Sequence, residues 1–342
     1  MGALVAAALL LTLEGLPSSA APRRFTKVSE HCYVLEAEPG WGNVGAVISD
    51  DGVLLIDTPP AGEIPAMLEA LKRVTTKPVR WVVNTHHHED HTRGNAYFSE
   101  HNATIIGGPE FRRVDEKPAE VENKEQKPKP TFAETQLVFG RQARLFPGGV
   151  EVRIFATEHR AHTSRDVVVW LQSEKVLHVG DLFVPGSYPA IDTSEGQGSA
   201  IGWLEAMRQV IESVPVLKSA MPQPKAPPSK PPPSKTPPPK APPSKAPPSK
   251  APQDPTEVAL EEKTLEEQVI VIPGHGPVSN LQEMKDLFET SRKLRLEAGR
   301  AAAARRSRDG FLASPGLAPF RVYENFEAFA AQLYGETAGG RK

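Results

Sequence analysis

Arg80-Trp81-Val82-Val83-Asn84 reads as a buried strand, and it runs without a break into Thr85-His86-His87-His88-Glu89-Asp90-His91. Four of the chain's ten histidines fall within the six residues 86–91. A surface loop does not call for that concentration, whereas a strand end that holds a metal ion does. In extended or tightly looped backbone, alternate residues share a face, so His86 and His88 can converge on one position. Asp90 and His91 reach a second position further along. His87 and Glu89 point the other way and are assigned no ligand role.

Three further motifs sit at expected strand boundaries. His162 opens His162-Thr163-Ser164-Arg165-Asp166, ahead of an apolar run at 167–171. Asp181 closes Leu177-His178-Val179-Gly180-Asp181, and His275 lies in Ile272-Pro273-Gly274-His275-Gly276-Pro277. Side chains at the C-terminal ends of several strands lie where an α/β sheet places an active site. Strands are expected at 32–35, 45–48, 53–56, 80–84, 150–155, 167–171, 176–179 and 269–272. The Asp51-Gly52 pair marks a hairpin between the second and third of them. Apolar residues at helical spacing predict helices over 64–74, 201–214, 281–297 and 320–333. Hairpins mixed with crossover helices indicate an α/β architecture with helices covering sheet. Gly107-Gly108-Pro109 and Phe183-Val184-Pro185-Gly186 are expected to line the pocket. His159, His178, Cys32 and Trp203 are read as loop or core residues.

Composition narrows the rest. The 40 Lys and Arg nearly balance 42 Asp and Glu, giving a net charge of −2, whereas a nucleic-acid binder normally carries a basic surplus. A single cysteine permits no intrachain disulfide and no cysteine-based zinc cage. No apolar run approaches the roughly 20 residues that cross a bilayer. The run at residues 4–13, with Ser18 and Ala20 behind it, reads as a secretory signal peptide over 1–20, cleaved after Ala20, so export is expected, to the periplasm or beyond. No Lys or Arg precedes that run, so either the amino terminus supplies the charge or the true start lies upstream. A buried N-terminal helix is the rival reading. Residues 116–129 read as a charged, solvated loop. Sixteen of the 35 prolines lie within 222–255, where residues 226–250 form five proline-rich pentads each ending in lysine. A tract of this kind cannot bury apolar surface and is expected to be a polyproline II rod of about 3.1 Å per residue. Its six lysines from Lys225 to Lys250, taken from −2, leave −8 on the remainder, so the tract can lie against its own acidic body. A functionless insertion and a device for docking a partner or the cell envelope both remain open for it.

The order HxHxDH, His-Thr, Gly-Asp, Gly-His-Gly resembles the metallo-β-lactamase superfamily, from about residue 28 to 297 apart from the proline tract. The resemblance implies a four-layer αββα sandwich with a dinuclear site at one edge of two sheets. It implies that His86, His88 and His162 bind one metal, that Asp90, His91 and His275 bind the other, and that Asp181 bridges them. Asp90 and Asp181 are the candidate catalytic carboxylates. Asp57 in Leu55-Ile56-Asp57-Thr58 fits the acid that supports the metal loop. Imidazole and carboxylate ligands suit two Zn²⁺, with iron or manganese compatible by ligand type. Such a pair holds a water and lowers its pKa towards about 7, which supplies a hydroxide nucleophile without Ser or Cys.

The implied domain plan is a signal peptide at 1–20, a catalytic domain at 28–300 interrupted by the 222–255 insertion, and an extension at 301–342 with a short helix. True β-lactamases of this superfamily usually carry Cys or Ser where Asp181 stands, which counts against antibiotic hydrolysis as the main activity. The Gly-Asp arrangement is similar to glyoxalase II, lactonases and exported metallohydrolases of quinoprotein-relay type. The phrases Val82-Val83-Asn84-Thr85 and Gly94-Asn95-Ala96-Tyr97-Phe98 share the character of the last group. The expected activity is hydrolysis of an ester, lactone, thioester or amide in a small molecule. A β-lactamase, a mononuclear iron dioxygenase and a non-catalytic exported metal-binding protein are the alternatives.

Overall fold

The computed structural model describes residues 23–37, 40–111, 135–194, 197–216 and 268–339. The expected signal peptide at 1–20, the charged loop at 116–129 and the proline tract at 222–255 lie outside the described residues.

Seven strands form one mixed sheet in chain order: β1 (Thr26–Lys27), β2 (Cys32–Leu35), β3 (Val44–Ile48), β4 (Val53–Ile56), β5 (Val79–Val83), β6 (Thr104–Gly107) and β7 (Thr135–Val138). β1 to β4 pair antiparallel, and β4 to β7 pair parallel. The second sheet runs β13 (Ser279–Asn280), β12 (Ile270–Pro273), β11 (Val176–Gly180), β10 (Val167–Leu171), β9 (Val152–Ala156) and β8 (Gln142–Leu145). Only β11 and β12 are parallel in it. Each sheet therefore contains parallel neighbours whose C-terminal ends open on the same side: β4 with β5 in the first, β11 with β12 in the second.

Strand periodicity explains the layering. Leu54 and Ile56 of β4, with Val167, Val169 and Leu171 of β10, point between the sheets and join one core. Their alternates Val53 and Leu55 pack against α1 (Ile64–Lys72) and Phe98 of α3 (Asn95–Glu100). Val168 and Trp170 pack against the helices on the far side: α4 (Ala200–Val216), α5 (Leu281–Ala303) and α7 (Phe326–Gly339). Four layers result, αββα. The central strands are buried on both faces, so they read as unbroken apolar runs rather than alternating ones. Each fully buried Val, Leu or Ile contributes about 1.5–3 kcal/mol through lost apolar surface. Among the described residues no helix is long and apolar enough to cross a membrane.

Some elements differ from the sequence expectation. β6, β7, β8 and β13 are short or edge strands without a sustained apolar pattern. The expected helix over 320–333 begins only at Phe326, because Asn325 adopts a left-handed φ of 55° and Pro319 sits in a 3₁₀ turn, Pro315–Phe320. Beyond residue 300 the chain also forms α6 (Arg308–Leu312), and Phe311, Phe326, Phe329 and Leu333 enter the same core as α4.

Candidate metal centre

The strand ends bring all seven expected side chains to one edge of the sandwich. Asp57 follows β4, and Thr85 and His86 follow β5 after Asn84. His88 precedes the single turn α2 (Glu89–Thr92), which carries Asp90 and His91. Asp181 follows β11, His275 lies two residues beyond β12, and His162 sits between β9 and β10.

Two groups result. In the first, His162 Nε2 lies 2.9 Å from His88 Nδ1 and 3.3 Å from His86 Nε2, and the latter two nitrogens are 3.1 Å apart. In the second, His275 Nε2 lies 3.2 Å from Asp90 Oδ2 and 3.3 Å from His91 Nε2. Asp181 stands between them. Its Oδ1 is 3.3 Å from His91 Nε2, and its Oδ2 is 3.5 Å from the Nε2 atoms of both His162 and His275. His86, His88, His162 and Asp181 can hold one ion, and Asp90, His91 and His275 can hold another.

The outward nitrogens fix the tautomers. A neutral imidazole carries one proton, and the ring nitrogen that donates it leaves a lone pair on the other. His86 Nδ1 faces Thr85 Oγ1 at 3.0 Å, His162 Nδ1 donates to the Ala190 carbonyl at 2.5 Å, and His88 Nε2 donates to Asp192 Oδ2 at 3.3 Å. His91 Nδ1 donates to Asp57 Oδ2 at 2.9 Å. Three lone pairs of the first group therefore converge within 3.3 Å. Such an arrangement is repulsive on its own and becomes favourable around a cation. Asp181 Oδ1 is likewise buried without a hydrogen bond. Among these residues the donor set of nitrogens and carboxylate oxygens, with no thiolate, suits zinc, iron or manganese.

The two groups differ in proton affinity. Burial, aided by the charge of His91, holds His86 well below the ordinary imidazole range, and burial lowers His88. His275 is pushed up to about 9 by hydrogen bonds to Asp181 and Asp90. Burial alone would lower His91, but Asp181 and Asp57 carry it well above its ordinary value. Asp181 is drawn well below the carboxylate range, since His91 and His275 outweigh its burial.

Local backbone makes these positions available. Asp57 has a φ of 64°, a left-handed conformation that Asp tolerates better than most residues. Its carboxylate is held by the Thr85 N–H at 2.7 Å and the Thr85 hydroxyl at 2.6 Å. Gly274 has no room for a side chain: a Cβ there would run into Asp181 Oδ1 and sit 2.7 Å from the Gly180 carbonyl carbon.

The chain matches the model of the metallo-beta-lactamase superfamily over residues 37–275, a span that contains all seven side chains. The chain belongs to the metallo-β-lactamase superfamily. It is a metal-dependent hydrolase of that group. No curated protein matches it. Solved structures with the same fold include the metallo-β-lactamase of Pontibacter korlensis, at 15% identity and a TM-score of 0.52, covering 79% of this chain and 99% of the other. DIM-1 metallo-β-lactamase, in a crystal exposed to ceftazidime, gives 15% identity and a TM-score of 0.51 over 79% of this chain and 97% of its own. TMB-1 gives 16% and 0.50, covering 80% and 99%.

Against that superfamily frame, several functional contacts lay beyond the sequence motifs. Asn43 is buried and donates from Nδ2 to the Pro273 and Gly276 carbonyls, both at 2.9 Å, while its backbone N–H donates to the Gly274 carbonyl. It ties the His275 loop to the first sheet. Asn84 binds α2 and is held in turn by Asn95: Asn84 Nδ2 donates to the His91 carbonyl at 3.1 Å, and Asn95 Nδ2 donates to Asn84 Oδ1 at 2.8 Å. Asp192 and Glu110 carry no sequence signal, being acids outside any motif. His87 turns away from the two groups to Glu110 Oε2 at 3.2 Å, with Asp192 Oδ2 3.8 Å from its other nitrogen. His87, His88 and Asp192 could by distance hold an ion. A neutral His88, with its Nδ1 lone pair turned to the first group, cannot serve both.

His159 is exposed in its loop. His178 is buried within β11, its pKa pushed down to about 4 by burial. Cys32 is a buried core residue with its thiol pushed up to about 12 by the same cause. Trp203 is wholly buried and donates from Nε1 to the Leu182 carbonyl at 2.8 Å.

Proposed function

We propose that this protein is an exported hydrolase of a small-molecule acyl bond, in an ester, lactone, thioester or amide, working with two zinc ions held by the two groups. His86, His88, His162 and Asp181 would hold one ion; Asp90, His91, His275 and Asp181 would hold the other. The observation that carries this reading is the placement of Asp181, whose two oxygens lie within 3.5 Å of nitrogens from both groups. When bound, the pair of ions would lower the pKa of water and polarise the substrate carbonyl.

The chain's own part is orientation and proton handling. Thr85, the Ala190 carbonyl, Asp192 and Asp57 fix the histidine rings so that their free nitrogens point inward. Outer partners of this kind also raise the basicity of the ligating nitrogen. Asp90 is about a third exposed, the most accessible carboxylate of the two groups, and His275 holds it in the charged form. Its carboxylate can accept a proton from the attacking water, and Asp181 stays ionised between the groups.

The test is a panel of lactones, thioesters and β-lactams given to zinc-loaded protein whose metal content has been measured. Two zinc per chain with turnover of one acyl class is the expected result. One iron per chain, with oxygen consumed instead, would replace this reading by an oxygenase.

A further inference from the structure

The loop between Asp181 and Asp192 supplies three different contacts to the candidate metal centre. It begins with the Asp181 carboxylate, continues to the Ala190 carbonyl that takes the His162 proton, and ends at the Asp192 carboxylate that takes the His88 proton. What grips its middle is the segment after residue 319, beyond the span matched by the family model.

That grip is specific. Asn325 Nδ2 donates to the Tyr188 carbonyl at 3.3 Å and the Pro189 carbonyl at 3.2 Å. The Tyr188 hydroxyl donates to the Phe320 carbonyl at 2.9 Å. Backbone bonds run from the Tyr188 N–H to the Glu324 carbonyl and from the Glu324 N–H to the Gly186 carbonyl, at 3.0 and 2.9 Å. The Tyr188 ring stacks on Phe329 of α7, with centroids 5.0 Å apart and planes 12° apart. A second contact reaches the other side of His162. Glu336 accepts from the Ala200 and Ile201 N–H groups and the Ser199 hydroxyl, and the Ser199 N–H donates to the Ala161 carbonyl at 2.9 Å.

We infer that the C-terminal segment from Phe320 to Glu336 is a positioning element of the three-histidine group: by clamping Tyr188 and Pro189 it sets the two acceptors that orient His88 and His162. The second group meets this loop only at Asp181, its far end from Tyr188 and Pro189, and its outer partners, Asp57 and Asn43, belong to the first sheet and its loops. Asn325 is the side chain of the segment that holds two loop carbonyls at once, from a backbone with a left-handed φ of 55°. The inference rests on the reading that both groups hold zinc.

The experiment measures zinc binding to metal-free full-length protein by competition with a chromophoric chelator, resolving the two equivalents. Asn325→Gly removes the amide donor and relieves rather than strains the left-handed backbone. It should weaken one equivalent by about tenfold, the lower end of what loss of an outer partner costs a metal site. The other equivalent should stay unchanged. Asp192→Asn should weaken the same equivalent, and Tyr188→Phe, which keeps the ring packing, should weaken it less. Equal loss of both equivalents would mean that the segment merely stabilises the fold, and no change in either would mean that it does not act on the site; each overturns the inference. Should Asn325→Gly fail to fold, Tyr188→Phe decides by the same criterion. A wild-type chain that takes up no zinc would overturn the hydrolase reading and this inference together, a failure visible without any variant.

Discussion

The two groups on either side of Asp181 are built by different means. His86, His88 and His162 donate outward to a hydroxyl, a carboxylate and a carbonyl, two of which lie on the single loop after Asp181. Burial keeps His86 and His88 low in proton affinity. His91 and His275 lie among carboxylates and hold protons tightly, Asp90 beside them stays charged, and Asp57 and Asn43 from the first sheet fix the His91 ring and the His275 loop. On the two-zinc reading, His86 and His88 would meet a cation already unprotonated at neutral pH. On the same reading, His91 and His275 would have to give up their protons first. The contrast teaches that a site made of similar side chains can still have two halves that differ in proton affinity.

Asp181→Ala strikes at what the two groups share and should have the largest effect. Both zinc equivalents should weaken and turnover should fall by more than about 100-fold, since even partners one bond further out are worth roughly 10 to 100-fold. Metal analysis with a rate measurement checks this; loss of one equivalent alone would assign Asp181 to a single group.

A pH series divides the groups next. His275, at about 9 against an ordinary 6.5, keeps its proton through neutrality in the metal-free fold. Zinc must displace that proton and the one His91 holds, so the affinity of the second equivalent should rise by at least about tenfold per pH unit between 6.5 and 9. The affinity of the first equivalent should rise less steeply over the same window, because burial keeps His86 and His88 low in proton affinity. In metal-free protein the His275 proton stabilises the fold: its contribution is full below 6.5 and is lost as pH rises through about 9. Parallel slopes for the two equivalents would erase the contrast.

Asp57→Asn should act most strongly on the second group, and more weakly on the first through Thr85, which bonds Asp57 and faces His86 Nδ1. It removes the charge that accepts from His91 Nδ1 while keeping a residue that tolerates the left-handed backbone, and should cost that equivalent roughly 10 to 100-fold. Asn43→Ala should act on stability as well as on the His275 loop. Leaving the Pro273 and Gly276 carbonyls without their buried donor costs about 1–3 kcal/mol, read as a lowered midpoint in denaturant. Deleting residues 226–250 should change neither zinc equivalent nor turnover, while loss of normal location in the cell would support the docking role for the tract.

Much of the site was legible in the sequence because its signal is local. Strand ends follow from apolar runs, and each candidate ligand lies within two residues of one or in a loop leading to it. The layers followed from the same runs, since a strand buried on both faces has no polar alternation. The edge strands β7 and β8 were not legible, because a half-exposed strand of four mixed residues carries little pattern. Nor was the break before α7, where a left-handed Asn325 overrides an aromatic spacing that looks continuous.

The chain by itself determined the ligand types, their order and the strands that carry them, because these depend on residue identity and short-range periodicity. Only the tertiary structure decided which ring nitrogen faces inward and which outer group takes the other proton. Asp192 reaches His88 across 104 positions of sequence, and Asn43 reaches Pro273 across 230. Contacts of that separation depend on how two sheets and a C-terminal segment pack, and no spacing of residues along the chain encodes them.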